Sequence, residues 1–245
     1  MKLSVGGVLA DAAALWRAER DVIIRVAGVF FLLPVLALAL LVTTLPVVAE
    51  AGNEAAVFAA VRSFYIANFA WLLVISLALD FGGFVLLNLF LHGGRTVRDL
   101  LTWSLLRLLP FVLLGFMTGT IINLGFALYV IPGLYIFGRC WMMGAAYAAA
   151  PGRGLFAAID RGFRMTAGNG WRVALLGCGA AVIAGSGALV LLILAQALAA
   201  LAGGSDWVQA IALVPAAAAG AAAYVAFTLV RVAIYRRLAG SSSGT

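Results

Sequence analysis

Two ionisable side chains, Asp80 and Arg139, stand inside apolar runs of this chain. A charged side chain at the centre of a membrane helix costs about 2.5–3.5 kcal/mol on insertion scales, so it needs a partner or a task. The spacing predicts that these two are each other's partner. Asp80 lies 12 residues before His92, and Arg139 lies 12 residues before Pro151. At 1.5 Å per helical residue, both sit about 18 Å from the same boundary. A pair in low dielectric must also satisfy its remaining hydrogen-bonding sites, for which Asn68, Asn88, Thr118, Thr120, Asn123 or water are at hand. Such a pair is either a mid-membrane substrate or proton site or a neutralised pin that fixes helix register.

Other reactive chemistry is scarce. His92 is the only histidine, which excludes a multi-histidine metal site and a Ser-His-Asp triad. The only lysine is Lys2, so no phosphate-cradling loop ending in Gly-Lys-Ser or Gly-Lys-Thr exists. Cys140 and Cys178 fall inside apolar segments, where a thiol packs as a small hydrophobe. No catalytic residue, metal or cofactor is expected, and the chain reads as non-enzymatic.

The elements that must position the charged residues follow from composition. Of 245 residues 65% are hydrophobic and only 10% charged, with mean hydropathy +1.14; soluble domains carry about 25% charged residues. This is the composition of an integral, multi-pass membrane protein. The net charge of +7 does not point to nucleic acid, because the basic residues occur in short blocks beside apolar runs, where they orient spans and meet anionic headgroups. Crossing a hydrocarbon core takes about 20 apolar residues. Six stretches qualify: Val26 to Val48, Ile66 to Leu91, Leu108 to Val130, Leu134 to Ala150, Val173 to Leu201 and Trp207 to Tyr235. The fourth is short, and only Ile131-Pro132-Gly133 separates it from the third. Pro-Gly is a strong turn signal, while a long broken helix would leave five spans.

Charge bias favours the even number. Lys2, Arg17, Arg20 and Arg25 precede the first span, Arg95, Arg98 and Arg107 lie between the second and third, Arg153, Arg161, Arg164 and Arg172 between the fourth and fifth, and Arg231, Arg236 and Arg237 close the chain. Fourteen of the sixteen basic residues thus fall on one side, against Glu50, Glu54, Arg62 and Asp206 on the other. Both termini are expected on the cytoplasmic, positive side. Val47-Val48-Ala49 has the small residues of a signal-peptide cleavage site, but the apolar run before it starts too late and is too long for one, so an uncleaved span is expected.

Residues 1–25 carry Val5, Val8, Leu9, Ala12, Leu15 and Trp16 at helical spacing, with Asp11, Arg17 and Arg20 elsewhere on the wheel. That pattern predicts an interfacial amphipathic helix. Thr96 with Asp99 forms a capping start ahead of Leu100, Leu101 and Leu105, and Leu155, Phe156, Ile159 and Phe163 face away from Asp160, Arg161 and Arg164. Three units of cytoplasmic interfacial helix plus transmembrane hairpin describe the plan, although basic flanks on any inward end explain it as well. The fold class is all-α, a six-helix transmembrane bundle over 26–237, with a flexible 238–245 tail. Small residues recur at four-residue spacing in Gly115/Gly119, Gly177/Ala181/Gly185 and Ala216/Gly220, which suits close packing inside the chain or a homo-oligomer contact.

The run Ile131-Pro-Gly-Leu-Tyr-Ile-Phe-Gly-Arg139, with the segment Gly154 to Val173, resembles the YciC-like bacterial inner-membrane proteins and the related membrane domain of some glycerophosphodiester phosphodiesterases. The matching positions are Pro132, Gly133, Tyr135, Arg139, Ala158, Arg161, Thr166, Gly168, Asn169 and Trp171. Gly162-Phe163 stands where Ser-Trp is usual, and Ala149-Ala150 replaces an acidic residue. The resemblance implies a six-span all-helical protein of the bacterial inner membrane without a defined biochemical role; the phosphodiesterase activity belongs to a soluble domain that this chain lacks. Independently of it, Thr166, Gly168 and Asn169 suit the end of a basic helix, with Gly or Asn at a left-handed cap. Trp171 and Arg172 suit headgroup level. Arg153, Arg161, Arg164 and Arg172 are candidate contacts for anionic lipid, or plain positive-inside anchors. The expected role is envelope organisation or assembly of membrane components through helix and lipid contacts; the alternative is a small transporter or lipid-handling protein with its site at Asp80 and Arg139. Membrane lipids, and other membrane proteins, are the expected partners.

Overall fold

A computed structural model describes residues 3–45, 54–93, 96–201, 203 and 205–242. Every regular element among them is helical. Five helical runs are long and apolar enough to cross a membrane: Val5–Thr43, Phe69–His92, Leu108–Leu128, Gly170–Leu201 and Trp207–Gly240. The small residues at 47–49, together with Lys2, Glu50 and Arg95, lie outside the described residues.

The first run joins α1 (Val5–Ala27), a wider π turn over Gly28–Leu32 and α2 (Leu33–Thr43). Ser4 caps it, its Oγ accepting from the Gly7 amide at 3.4 Å. All six charged residues of this run precede Val26, and at 1.5 Å per residue 39 residues span about 58 Å, nearly twice a hydrocarbon core. The crossing part is therefore 26–43. The expected interfacial amphipathic segment over 1–25 runs on into the first span. The only non-helical backbone within α1 is at Glu19 (φ −130°, ψ 23°), not at the start of the span. The face carrying Val8, Ala12 and Leu15 is buried, with Gly7 against Arg237, so half of the predicted lipid-facing stripe packs on protein, while Val5, Leu9 and Trp16 stay exposed.

Helix α3 (Glu54–Ala67) leads through Asn68 into α4 (Phe69–His92); α5 (Val97–Leu106) then precedes α6 (Leu108–Leu128). Thr96 caps α5 as its spacing predicts, its Oγ1 accepting from the Asp99 amide at 3.2 Å. α5 folds back on α4, where Asn88 Nδ2 donates to Ser104 Oγ at 3.0 Å and both residues are fully buried.

The turn after α6 differs from expectation. The break falls at Tyr129 (φ −168°, ψ 157°), and Pro132-Gly133 lie inside the first turn of α7 (Val130–Cys140). The first amides of a helix have no intrahelical acceptor, so a proline there loses no hydrogen bond. Gly133 serves instead as a close-approach point, because a Cβ on the facing Gly125 would lie 3.1 Å from its Cα. α8 (Met143–Ala149) continues α7 across Trp141 and Met142, whose backbones stay right-handed helical and whose amide and carbonyl bonds, Trp141 to Phe137 and Met142 to Ala146, persist at 2.8 and 2.9 Å. After a short 3-10 turn, α9 (Gly154–Met165) runs back along α8, with Gly162 against Met143. Thr166 ends α9 with its Oγ1 donating to the Gly162 carbonyl at 2.9 Å, and Gly168 takes φ +75°, the left-handed position assigned to Gly or Asn from sequence.

α10 (Gly170–Leu201) and α11 (Asp206–Ser242) form the largest helix pair. α1 and α2 run antiparallel to α11, as Gly7 meets Arg237, Phe31 stacks on Tyr224 at 5.7 Å and Val35 meets Gly220. α4 runs parallel to α11, Arg236 donating to the Phe90 carbonyl. The expected tail over 238–245 is corrected for 238–242, which continue α11 with Leu238 buried; 243–245 lie outside the described residues.

Candidate functional site

Asp80 lies midway along α4, on a stripe with Ser76, Gly83 and Leu87 that faces Tyr224, Phe227, Thr228 and Arg231 of α11. These two stripes follow helical i, i+3, i+4 and i+7 spacing, which is why they meet over two turns. Between them, closed on one side by Phe111 of α6, is a cavity of about 350 Å³. The charge acting on Asp80 is that of Arg231. Ion pairs within 4 Å among the described residues are Arg20–Asp21, Asp160–Arg164 and Asp11–Arg237, so Asp80 and Arg231 face one cavity without closing on each other.

Arg231 is held from its far side. A Cβ at Gly144 of α8 would collide with its guanidinium, so the missing side chain there is the berth of that group. Arg231 Nε is buried without a hydrogen-bond partner. A guanidinium carries five donors and no acceptor, and an ionised carboxylate only accepts. The cavity therefore offers donors at one wall and acceptors at the other. Thr228 Oγ1 donates to the Tyr224 carbonyl at 2.9 Å, leaving its lone pairs to the cavity wall.

Arg139 is elsewhere, which corrects the proposed Asp80–Arg139 pair. Its guanidinium lies 5.4 Å from the centre of the Phe163 ring, its carbonyl accepts from Thr166 Oγ1 at 3.4 Å, and its aliphatic stem lies against Gly170. Equal distance along two helices does not put residues on facing sides. α7 packs on α6 and α10, whereas α4 meets α8 and α11. Of the polar residues suggested as supports for that pair, Asn68, Thr118 and Thr120 bond carbonyls three or four residues back, at Phe64, Gly115 and Phe116, and Asn88 bonds Ser104 of α5.

The four arginines suggested as lipid contacts are placed at the end where α9 enters α10. Arg153 is exposed and Arg164 is paired with Asp160. Arg161 lies 5.8 Å from the Tyr235 ring centre, and Arg172 Nη1 donates to the Leu3 carbonyl at 2.9 Å. With Arg237 hydrogen-bonded to Asp11 at 2.5 Å, they stitch the N-terminal helix, the α9–α10 corner and the C-terminal helix into one basic end. The Arg237 hydrogen bond holds the Asp11 carboxyl below its usual pKa of 3.8. The His92 ring lies tilted at 56° to Trp103, with centres 5.1 Å apart, in the same region. Cys140 and Cys178 are free thiols.

Neither a family model, nor a curated protein, nor a solved structure matches this chain. Arg231 is the functional candidate that sequence reasoning missed, because it was grouped with Arg236 and Arg237 as a terminal anchor. The signal that finds it is its place four residues before Tyr235, within the last apolar run and on the helical stripe of Tyr224, Phe227 and Thr228.

Proposed function

We propose that this chain is a six-span, non-enzymatic protein of the bacterial cytoplasmic membrane, with α7 and α8 together as the fourth crossing and both ends on the cytoplasmic face. Its role is exercised through contact with lipids and other membrane components, in envelope organisation or membrane-component assembly. The observation that carries this reading is the basic end. Arg161, Arg172, Arg236 and Arg237 each bind another element there, so the positive residues form a built rim beneath an otherwise apolar bundle. A rim of that kind sits at anionic headgroups. The 20 residues of Val130–Ala149 measure about 30 Å as a helix, one hydrocarbon thickness. The YciC-like resemblance over 131–173 agrees with the same plan.

Single cysteines at Ser4, Ser205 and Ser241, in a background lacking Cys140 and Cys178, test it with a membrane-impermeant maleimide on spheroplasts. Labelling at Ser205 only is expected; opposite labelling of Ser4 and Ser241 would leave an odd span number and overturn the reading. A second reading, a lipid-handling or transport role, is favoured by the cavity between Asp80 and Arg231, which a scaffold packed only for stability would have no reason to keep.

A further inference from the structure

Resting on that second reading, we infer that the α4–α11 cavity binds the zwitterionic head of an amphiphile or a free small zwitterion, its anionic group received by Arg231 and its protonated amine by Asp80. Three observations converge on this. The two charged groups share one cavity but no ion pair within 4 Å, so each retains capacity for a third body. Arg231 cannot be relieved by its neighbours: its guanidinium is lodged at Gly144, and its Nε is buried without a partner. A donor left unmatched is costly, and a group that accepts from the part of the guanidinium lining the cavity offsets that cost, the Nε itself being closed to it. Asp80, by contrast, is an exposed residue at mid-helix that also lines the cavity.

The donor and acceptor walls decide the ligand class. A pure anion satisfies Arg231 and repels Asp80; a pure cation does the reverse. A molecule with both charges meets both walls and enters with no net charge, which is the least costly way to bring ions to that depth. An amine that carries N–H bonds is preferred, since it can donate to Asp80 as well as pair with its charge. A quaternary ammonium lacks them. Two sources carry this chemistry: a phosphoethanolamine lipid head entering sideways, or a soluble zwitterion such as glycerophosphoethanolamine entering through water.

The test is native mass spectrometry of the full chain released from nanodiscs holding equal parts of phosphatidylethanolamine, phosphatidylcholine and phosphatidylglycerol, repeated on lipid-depleted protein with glycerophosphoethanolamine alone. A stoichiometric phosphatidylethanolamine adduct is expected, preferred over phosphatidylcholine by about tenfold, the worth of one charge-assisted hydrogen bond. That preference should disappear in Asp80→Asn, and the adduct itself in Arg231→Gln. Because either change risks the fold, Gly83→Leu is the third variant. A Cβ at Gly83 meets nothing within 4 Å, so the substitution fills the cavity and leaves both charges in place; loss of the adduct with an unchanged melting curve is expected. An adduct of the soluble compound but not of the lipid would support the same site with the water-borne source. Phosphatidylglycerol retained through Arg231 and indifferent to Asp80→Asn would overturn the zwitterion while leaving a ligand-handling role. An absence of any bound molecule that responds to Gly83→Leu would overturn both.

Discussion

The two halves of this bundle are built by different rules. In the basic half, every side of α8 is covered, Met143 to Ala148 being buried among α4, α6, α9 and α11, and Phe84 to Asn88 of α4 and Val232 to Tyr235 of α11 are buried with it. In the other half Phe58, Ile66, Phe116, Ile183 and Trp207 are exposed, and α3 has almost no protein neighbour beyond α4. In water the second half would be a liability; in lipid an exposed leucine is already in its preferred solvent, and only close packing and polar contacts bring helices together. The comparison teaches that packing in this protein follows the polar groups rather than the apolar ones. The buried Asn88–Ser104 bond, the Thr166 cap and the lodged Arg231 are all in the dense half.

Glycine substitutions give the sharpest way to break that comparison. A Cβ at Gly138 would run into the Gly170 carbonyl and lie 2.8 Å from Ala174 Cβ, both on α10, so Gly138→Val should cost about 3 kcal/mol or more and strongly lower the melting temperature in detergent. Gly115→Val meets nothing within 4 Å and should change it little, within about 0.5 kcal/mol. Equal losses at the two sites, measured by thermal melts, would erase the distinction between the halves. A loss of oligomer mass with Gly115→Val would instead show that the open face is covered by another copy.

Next in size is Ser104→Ala, which leaves the fully buried Asn88 amide without its acceptor and should cost about 1–2 kcal/mol by chemical denaturation. Asn88 and Ser104 replaced together by apolar residues of similar shape should recover part of that. Below this comes charge coupling. A double-mutant cycle on Asp80 and Arg231 should show an interaction of about 0.5 kcal/mol or more, while the cycle on Asp80 and Arg139 should be additive. The reverse ranking would restore the pairing inferred from depth alone.

The smallest effect is at the rim. Arg237 lowers the folded-state pKa of Asp11 below the unfolded 3.8. The carboxylate then contributes stability that is present above about pH 4 and lost as pH falls through the lowered value. Both side chains are open to solvent over more than a third of their surface, so the acid step should be slight, and Asp11→Asn should remove it without changing the melting temperature near neutral pH by much.

Much of the fold was legible because lipid imposes a simple rule, and composition with charge blocks reveals where the chain obeys it. The Thr96 cap and the left-handed Gly168 were also legible, since each depends on neighbours close in sequence. What failed depends on which face a helix presents. The wheel of residues 5–16 has an apolar side, but nothing in it says whether lipid or α11 covers that side. Likewise, depth placed Arg139 level with Asp80 and could not place it on the right helix surface. The Pro132-Gly133 signal was read as a turn, yet proline is as much at home in the first turn of a helix, and only the conformation of Tyr129 decides where that turn begins. Gly162, a departure from the resembled motif, has a physical reason in the close approach of Met143.

The burial of α8 has a consequence for biogenesis. Chains are made from the N-terminus, yet this seven-residue helix is completed by surfaces that come later: Gly162 of α9 against Met143, and Arg231 of α11 against Gly144. While the ribosome is still translating α10, Gly144 has no guanidinium beside it and Arg231 does not yet exist. α8 must therefore wait half-dressed until the last helix arrives, and truncation anywhere before Arg231 should leave that segment the first target of a membrane protease.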